Sequence, residues 1–284
     1  MNIKIADYNI RISGADFDEF NERFKDYITD SAPEDADLDI DFSIDDNITV
    51  PTEKLTVPYK RWQHCTLPDK SVCTMRFDSE GAVLKNIVSC DGKYAKISIA
   101  NREKIYGMDI WYVSFFAIGE AFAYSLLKKQ SAVLHSSSIV LNGSAIAFSA
   151  KSGTGKSTHT ALWKSLFPNA EIANDDTPVI RFKNGVPHLF GSPFAGTSGI
   201  NKNISAPLKA VVFLQQGEKN KIEKLSGAKA VSYFLDELKK PIVSDYLDLC
   251  MDFTEKIMMT TPVYLLSCTP EKEAVETVMK TVRI

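Results

Sequence analysis

The stretch that most restricts how this chain can fold is the one from Ala145 to Thr158. An apolar strand signal, Ala145-Ile146-Ala147-Phe148-Ser149, runs into Ala150-Lys151-Ser152-Gly153-Thr154-Gly155, and a helix signal opens at Lys156-Ser157-Thr158. A strand, a glycine-bearing turn and a helix start in direct succession are the context of a phosphate-binding loop. Gly153 and Gly155 give the backbone the freedom to curl several N–H groups inward on an anion, and the helix N-terminus adds about half a positive charge behind them. The expected triphosphate ligands are therefore Ser152, Gly153, Thr154 and Gly155 along the loop, with Lys156 on the β- and γ-phosphates. The Ser157 hydroxyl is expected on Mg²⁺ and Thr158 near the α-phosphate. Ala150 stands where the pattern G-x-x-x-x-G-K-[ST] has its first glycine, which predicts a slightly altered loop entry with the nest from Gly153 to Lys156 kept.

A second informative stretch runs from Ala170 to Ile180, where an apolar approach ends in Asp175-Asp176. Two adjacent carboxylates suit a metal–phosphate site, one holding Mg²⁺ and one orienting or deprotonating an incoming hydroxyl. Neighbours on a regular strand point opposite ways, so both can serve only if the strand ends or bends there, and Pro178 favours such an ending.

Composition narrows the setting. Against 36 Asp+Glu stand 33 Lys+Arg, a net charge of −3, so nothing drives non-specific binding to nucleic acid. The 44% hydrophobic and 24% charged content is that of a globular chain. Five sparse cysteines (Cys65, Cys73, Cys90, Cys250, Cys268), none in a C-x-x-C pair, predict neither a disulfide framework nor a zinc clip. Asp7 interrupts the N-terminal apolar stretch that an export signal needs, so the expected location is cytoplasmic. The apolar run Ile110–Leu127 carries Gly119 and Glu120 at its centre, which predicts a buried core helix and no membrane span.

Residues 1–107 predict a smaller α+β region built on an antiparallel sheet. Ile3 and Ile5, then Tyr8, Ile10 and Ile12, alternate with a phase slip at Ala6-Asp7, the mark of two short strands or one bulged strand. Phe17, Phe20, Phe24 and Ile28 form one helical stripe on a helix starting near Asp16. Residues 37–44 alternate carboxylates with apolar residues along a strand. They do not form an EF-hand loop, because Phe42 and Ile48 occupy its glycine and glutamate positions. Runs at 71–78, 82–90 and 94–100, separated by turn residues, predict a three-stranded meander. Residues 108–284 form the second region, an α/β P-loop domain in which Val133–Leu141 and Ala145–Phe148 are strands around an Asn142-Gly143-Ser144 turn.

At Leu134-His135-Ser136-Ser137-Ser138, Ser152-Gly153-Thr154-Gly155-Lys156-Ser157-Thr158 and Asn174-Asp175-Asp176, in that order, residues 108–284 resemble the HPr kinase/phosphorylase catalytic domain and its phosphoenolpyruvate carboxykinase-related P-loop kinases. The stretches from Gly191 to Gly196 and Ala206 to Leu214 are similar to bacterial homologues of that group. The resemblance implies that Lys156 and Ser157 bind phosphates and Mg²⁺, that Asp176 completes the metal site, that Asp175 is the base toward an acceptor hydroxyl, and that His135 lies in the catalytic cleft. The protein-substrate loop of HPr kinases is not recognisable after Gly191, so the acceptor stays open between a protein or peptide serine and a small molecule, as does homo-oligomer formation. The implied function is an Mg·ATP-dependent kinase, and the alternative is a nucleotide-binding protein that uses ATP as a switch. Arg181 and Lys202 are further basic candidates near transferred phosphate. Asn201-Lys202-Asn203-Ile204 lacks the closing aspartate of a guanine-binding motif.

Overall fold

The computed structural model describes residues 1–14, 17–30, 35–58 and 61–284, in two compact units: residues 1–129 with 240–249, and residues 130–239 with 250–284.

The first unit is built on a seven-stranded sheet. Its strands are β1 (Asn2–Ile5), β2 (Tyr8–Ser13), β3 (Leu38–Asp45), β4 (Trp62–Thr66), β5 (Val72–Asp78), β6 (Gly81–Val88) and β7 (Tyr94–Ala100). They lie in the order β1-β2-β3-β7-β6-β5-β4. The phase slip at Ala6-Asp7 is a two-residue hairpin turn in which both residues take positive φ, 51° and 62°. The expected meander is present as β5, β6 and β7, and the acidic alternation lies on β3. The expectation of an antiparallel sheet is corrected: β3 runs parallel to both β2 and β7, so the sheet is mixed. Helix α1 (Asp18–Phe24) buries Phe20 and Phe24, but the stripe ends there; Ile28 has left the helix, bridges to Ile3 and is 42% exposed. The proposed start at Asp16 lies outside the described residues. A small ribbon, β8 (Lys104–Ile105) with β9 (Met108–Asp109), leads into α2 (Ile110–Leu127). That helix is long and apolar enough to cross a membrane by length and composition, yet 67% of it is buried within the protein, packed on β3, β6 and β7. The compact unit runs on through α2 to Lys129, past the change of pattern at 107.

The second unit holds β10 (Ser131–Val133), β11 (Ser136–Leu141), β12 (Ser144–Ser149), α3 (Lys156–Leu166), β13 (Glu171–Asn174), β14 (Val179–Lys183), β15 (Val186–Phe190), β16 (Ser205–Gln216), β17 (Lys221–Lys224) and α4 (Gly227–Glu237). It also holds most of α5 (Ser244–Thr260), then β18 (Val263–Cys268) and α6 (Lys272–Val282). The strand order is β10-β14-β15-β16-β12-β11-β13, with β18 on β16 and β17 on β18. The twelve-residue β16 organises this sheet: its start pairs antiparallel with β15, and its remainder runs parallel between β12 and β18. Phe148, Trp163, Val212, Leu266 and Val278 join one buried cluster that fastens α3 and α6 to the sheet. The run read as one strand, Val133–Leu141, is broken at Leu134-His135, where the chain bridges to Leu238 instead of continuing a ladder. Because β12, β13 and β16 point the same way, their C-terminal ends and the N-terminal end of β11 collect at one edge, the usual ligand edge of such sheets.

Candidate functional site

The loop between β12 and α3 sits at that edge. Gly153 and Gly155 take φ of +81° and +114°, the left-handed region that L side chains avoid, and open space surrounds both where a Cβ would stand. Ala150 does not take positive φ; its methyl packs into the core with Phe148 and Trp163, so the loop entry needs no glycine. Its carbonyl accepts a hydrogen bond from Lys156 Nζ at 2.7 Å. Burial lowers the Lys156 pKa, with the charges of Glu237, Asp176 and Asp175 working the other way. Ser152, Ser157 and Thr158 are exposed on the loop and first helical turn.

The carboxylate pair is reached by the strand ending that the sequence demanded. β13 stops at Asn174, whose Oδ1 accepts the backbone N–H groups of Asp176 (2.8 Å) and Thr177 (2.6 Å). This Asx turn swings the chain so that both carboxylates bear on the same edge. Asp175 is buried, and its Oδ1 accepts from Ser137 Oγ at 2.6 Å; Ser137 in turn lies 2.8 Å from Thr160 Oγ1 on α3. A side-chain chain therefore links the carboxylate to the helix that the loop begins.

Asp176 meets His135. Its Oδ1 is 3.4 Å from His135 Nε2, while His135 Nδ1 is 2.7 Å from Glu237 Oε2. The imidazole is held between two carboxylates. Burial works to lower its pKa, but the hydrogen bonds to Asp176 and Glu237 prevail and raise it. For Asp176 burial pushes upward, and the His135 hydrogen bond with the charges of Lys239 and Lys156 prevails and lowers it, keeping this carboxyl ionised.

The Gly191–Gly196 segment braces the turn. A Cβ at Gly191 would stand 1.9 Å from Lys202 O and 2.6 Å from Ala173 O, so only glycine fits. Asn174 Nδ2 donates to Ser192 O, Ser192 Oγ donates to Thr177 O, and Thr177 Oγ1 donates to Phe194 O. Gly196 approaches the Asp176 side chain so closely that a Cβ would lie 3.1 Å from its Cγ.

The structure thus gathers His135, Lys156, Asp175 and Asp176 beside the loop. It does not add the further basic candidates: Lys202 is tied to Glu171, and Arg181 lies within the β10–β14–β15 ladder. Glu237 and Thr160 have no marker in the sequence; Glu237 is 102 residues from its histidine partner and carries no local signal. The Ser136-Ser137-Ser138 run carries part of the family resemblance, and only the fold gives its middle hydroxyl a partner, Asp175.

Mg²⁺ accepts one or two carboxylates and a hydroxyl, and completes its shell with phosphate oxygens and water. Ser157 and Asp176 are hard oxygen donors of that kind, and among the described residues no group of three or more His, Cys, Asp or Glu forms an all-protein cage.

Residues 107–273 match the family described as SynChlorMet cassette protein ScmC. The chain belongs to this family. Among solved structures it is similar to the Hpr(Ser) kinase/phosphatase from Coxiella burnetii, at 12% identity and a TM-score of 0.32, over 53% of this chain and 95% of that one. No curated protein matches it.

Proposed function

We propose that this ScmC-family protein is a cytoplasmic Mg·ATP-dependent kinase that transfers the γ-phosphoryl group to a hydroxyl. The observation that carries the proposal is the convergence on one sheet edge of the Gly153–Lys156 loop with Asp175, Asp176 and His135. In this reading the loop amides and Lys156 hold the phosphates, and Ser157 and Asp176 hold Mg²⁺, which when bound neutralises charge developing on the β- and γ-oxygens. Asp175, oriented by Ser137, takes the acceptor proton. The acceptor oxygen then bonds to the γ-phosphorus, the bond from that phosphorus to the β–γ bridging oxygen breaks, and ADP leaves. Such transfer depends on positioning and charge stabilisation, so few side chains suffice. His135, held by Glu237, fixes Asp176.

A second reading, a nucleotide-binding switch with weak catalysis, draws on the Lys156–Ala150 bond, in which the loop satisfies its own cation. Phosphotransfer from Mg·ATP by the wild type, Lys156→Ala and Asp175→Asn separates the two. The kinase reading expects a loss of about 10²–10³-fold for the lysine variant and about 10²–10⁴-fold for the base variant. Tight nucleotide binding with no phosphorylated product in the wild type would select the switch.

A further inference from the structure

The seven-stranded sheet of the first unit buries different chemistry on its two faces. Asn86 on β6 turns toward α2, where its Nδ2 donates to Ala117 O at 3.4 Å, and Thr74 on β5 is its cross-strand partner. Side chains alternate along a strand, so Cys73 and Met75, on either side of Thr74, point to the opposite face. Cys65 on β4 is the register partner of Cys73 and joins them there. These three are the buried members of one cluster, with Ile48 and Leu55 among the partly buried side chains packed around it. Every buried member carries sulfur.

Leu67 N donates to Ser71 O, and hydrogen-bonded pairs recur at every second residue of an antiparallel ladder, so Cys65 and Cys73 face each other at such a pair. The Cβ atoms of a hydrogen-bonded pair stand about 5.5 Å apart, beyond the roughly 3.5–4.5 Å that a relaxed disulfide spans. An ion between the sulfurs fits better, since two metal–sulfur bonds of about 2.3 Å hold sulfurs up to about 4.6 Å apart. The two thiols hydrogen-bond to one another. Burial raises the Cys65 pKa and pushes Cys73 up to about 12, while the Lys85 charge works the other way on both.

A stretch without regular structure covers this face. Lys85 Nζ donates to Thr49 O at 3.0 Å; farther on, Thr56 N donates to His64 O and Thr56 Oγ1 accepts from His64 N. Between those two ties Leu55 lies on the sulfur cluster, so an ion can enter without parting any strands.

We infer that Cys65, Cys73 and Met75 form a soft-metal site, and that its ion is Cu(I), held by two thiolates and one thioether. Thiolate and thioether ligands select Cu(I), whereas structural Zn²⁺ takes four ligands drawn from Cys, His and carboxylate. Among the described residues no group of three or more His, Cys, Asp or Glu supplies such a set. Binding is not a redox step: each thiol releases one proton to solvent as its sulfur bonds the ion, and the Met75 sulfur donates a lone pair. The product carries one negative charge, which the nearby Lys85 ammonium offsets.

The test titrates the full chain, reduced and free of oxygen, with Cu(I) against the chromophoric chelator bicinchoninate. The wild type is expected to take one equivalent, its apparent affinity rising about a hundredfold per pH unit near neutrality, as release of two protons requires. Cys65→Ala and Cys73→Ala should each weaken binding at least about a hundredfold, and the volume-conserving Met75→Leu about tenfold. Melting curves of the metal-free proteins check folding, and Met75→Leu with the pH slope decides the matter if a cysteine variant does not fold. A copper K-edge spectrum should show sulfur alone around the ion. Copper left wholly with the chelator overturns the site, and so does unchanged affinity in any of the three variants, a nitrogen or oxygen shell, or a slope of tenfold or less. Loss of binding in Cys90→Ser or Cys268→Ser overturns it too, by placing the ion on the more accessible thiols.

Discussion

Two regions of the molecule, the surroundings of His64 in the first unit and the loop edge of the second, bury polar side chains in different ways. In the first, His64 is 3% exposed and neither ring nitrogen has a hydrogen-bond partner, and the buried Asn86 Oδ1 has none either. In the second, Ser137, Thr160, Asp175 and Asn174 are buried too, but Ser137 joins both Thr160 and Asp175, and Asn174 joins Ser192. A partly satisfied polar group in a core is a liability that neighbouring packing tolerates. A connected set, in a low dielectric, fixes side chains in one geometry.

The largest expected effect tests the bracing of that network. Gly191→Ala should destabilise by at least about 3 kcal/mol, because its methyl meets two backbone carbonyls that cannot yield. Gly81→Ala on β6, at φ +124° but with nothing within 4 Å, should cost only about 1–2 kcal/mol. Equal shifts of the denaturant midpoint for the two would erase the distinction between a braced turn and an open one.

The pH dependence draws on one histidine in each unit. Burial lowers His64 and His159 to a pKa of about 4, and His159 Nε2 accepts from Trp163 Nε1, which requires the neutral ring. The unfolded chain binds these protons near pH 6.5 and the folded chain does not until near 4, so stability is full above 6.5 and falls between the two. The loss should approach about 3 kcal/mol per histidine, and His64→Phe or His159→Phe should each flatten the slope of stability against pH across that window.

The smallest effect sharpens the contrast most. Ser137→Ala strips Asp175 of its donor and should destabilise by about 2 kcal/mol and slow phosphotransfer. Asn86→Leu should change stability by no more than about 1 kcal/mol, in either direction. Paired melting curves and a phosphotransfer assay would read both, and an Asn86→Leu penalty as large as that of Ser137→Ala would show that partner satisfaction does not separate the two regions.

Local, contiguous features were legible in the sequence. The loop with its helix, the meander and the β3 alternation each rest on neighbours along the chain, and the ending of β13 was foreseeable from two carboxylates that could not otherwise share a site. What the sequence hid was long-range. Parallel pairing of β3 with β2 and β7 leaves no local signature distinct from antiparallel alternation, and the apolar run from Val133 to Leu141 concealed the break that delivers His135. Glu237 closes a mostly amphipathic helix, and nothing in its surroundings marks it as a histidine partner until α4 reaches Leu134.

The bond from Lys156 to the Ala150 carbonyl gives the loop's ammonium an internal oxygen partner. On the kinase reading, a bound phosphate would displace that internal acceptor and exchange it for a stronger one. On that reading the exchange would favour longer phosphate chains, which can engage the loop amides and the ammonium together, over small oxyanions such as sulfate.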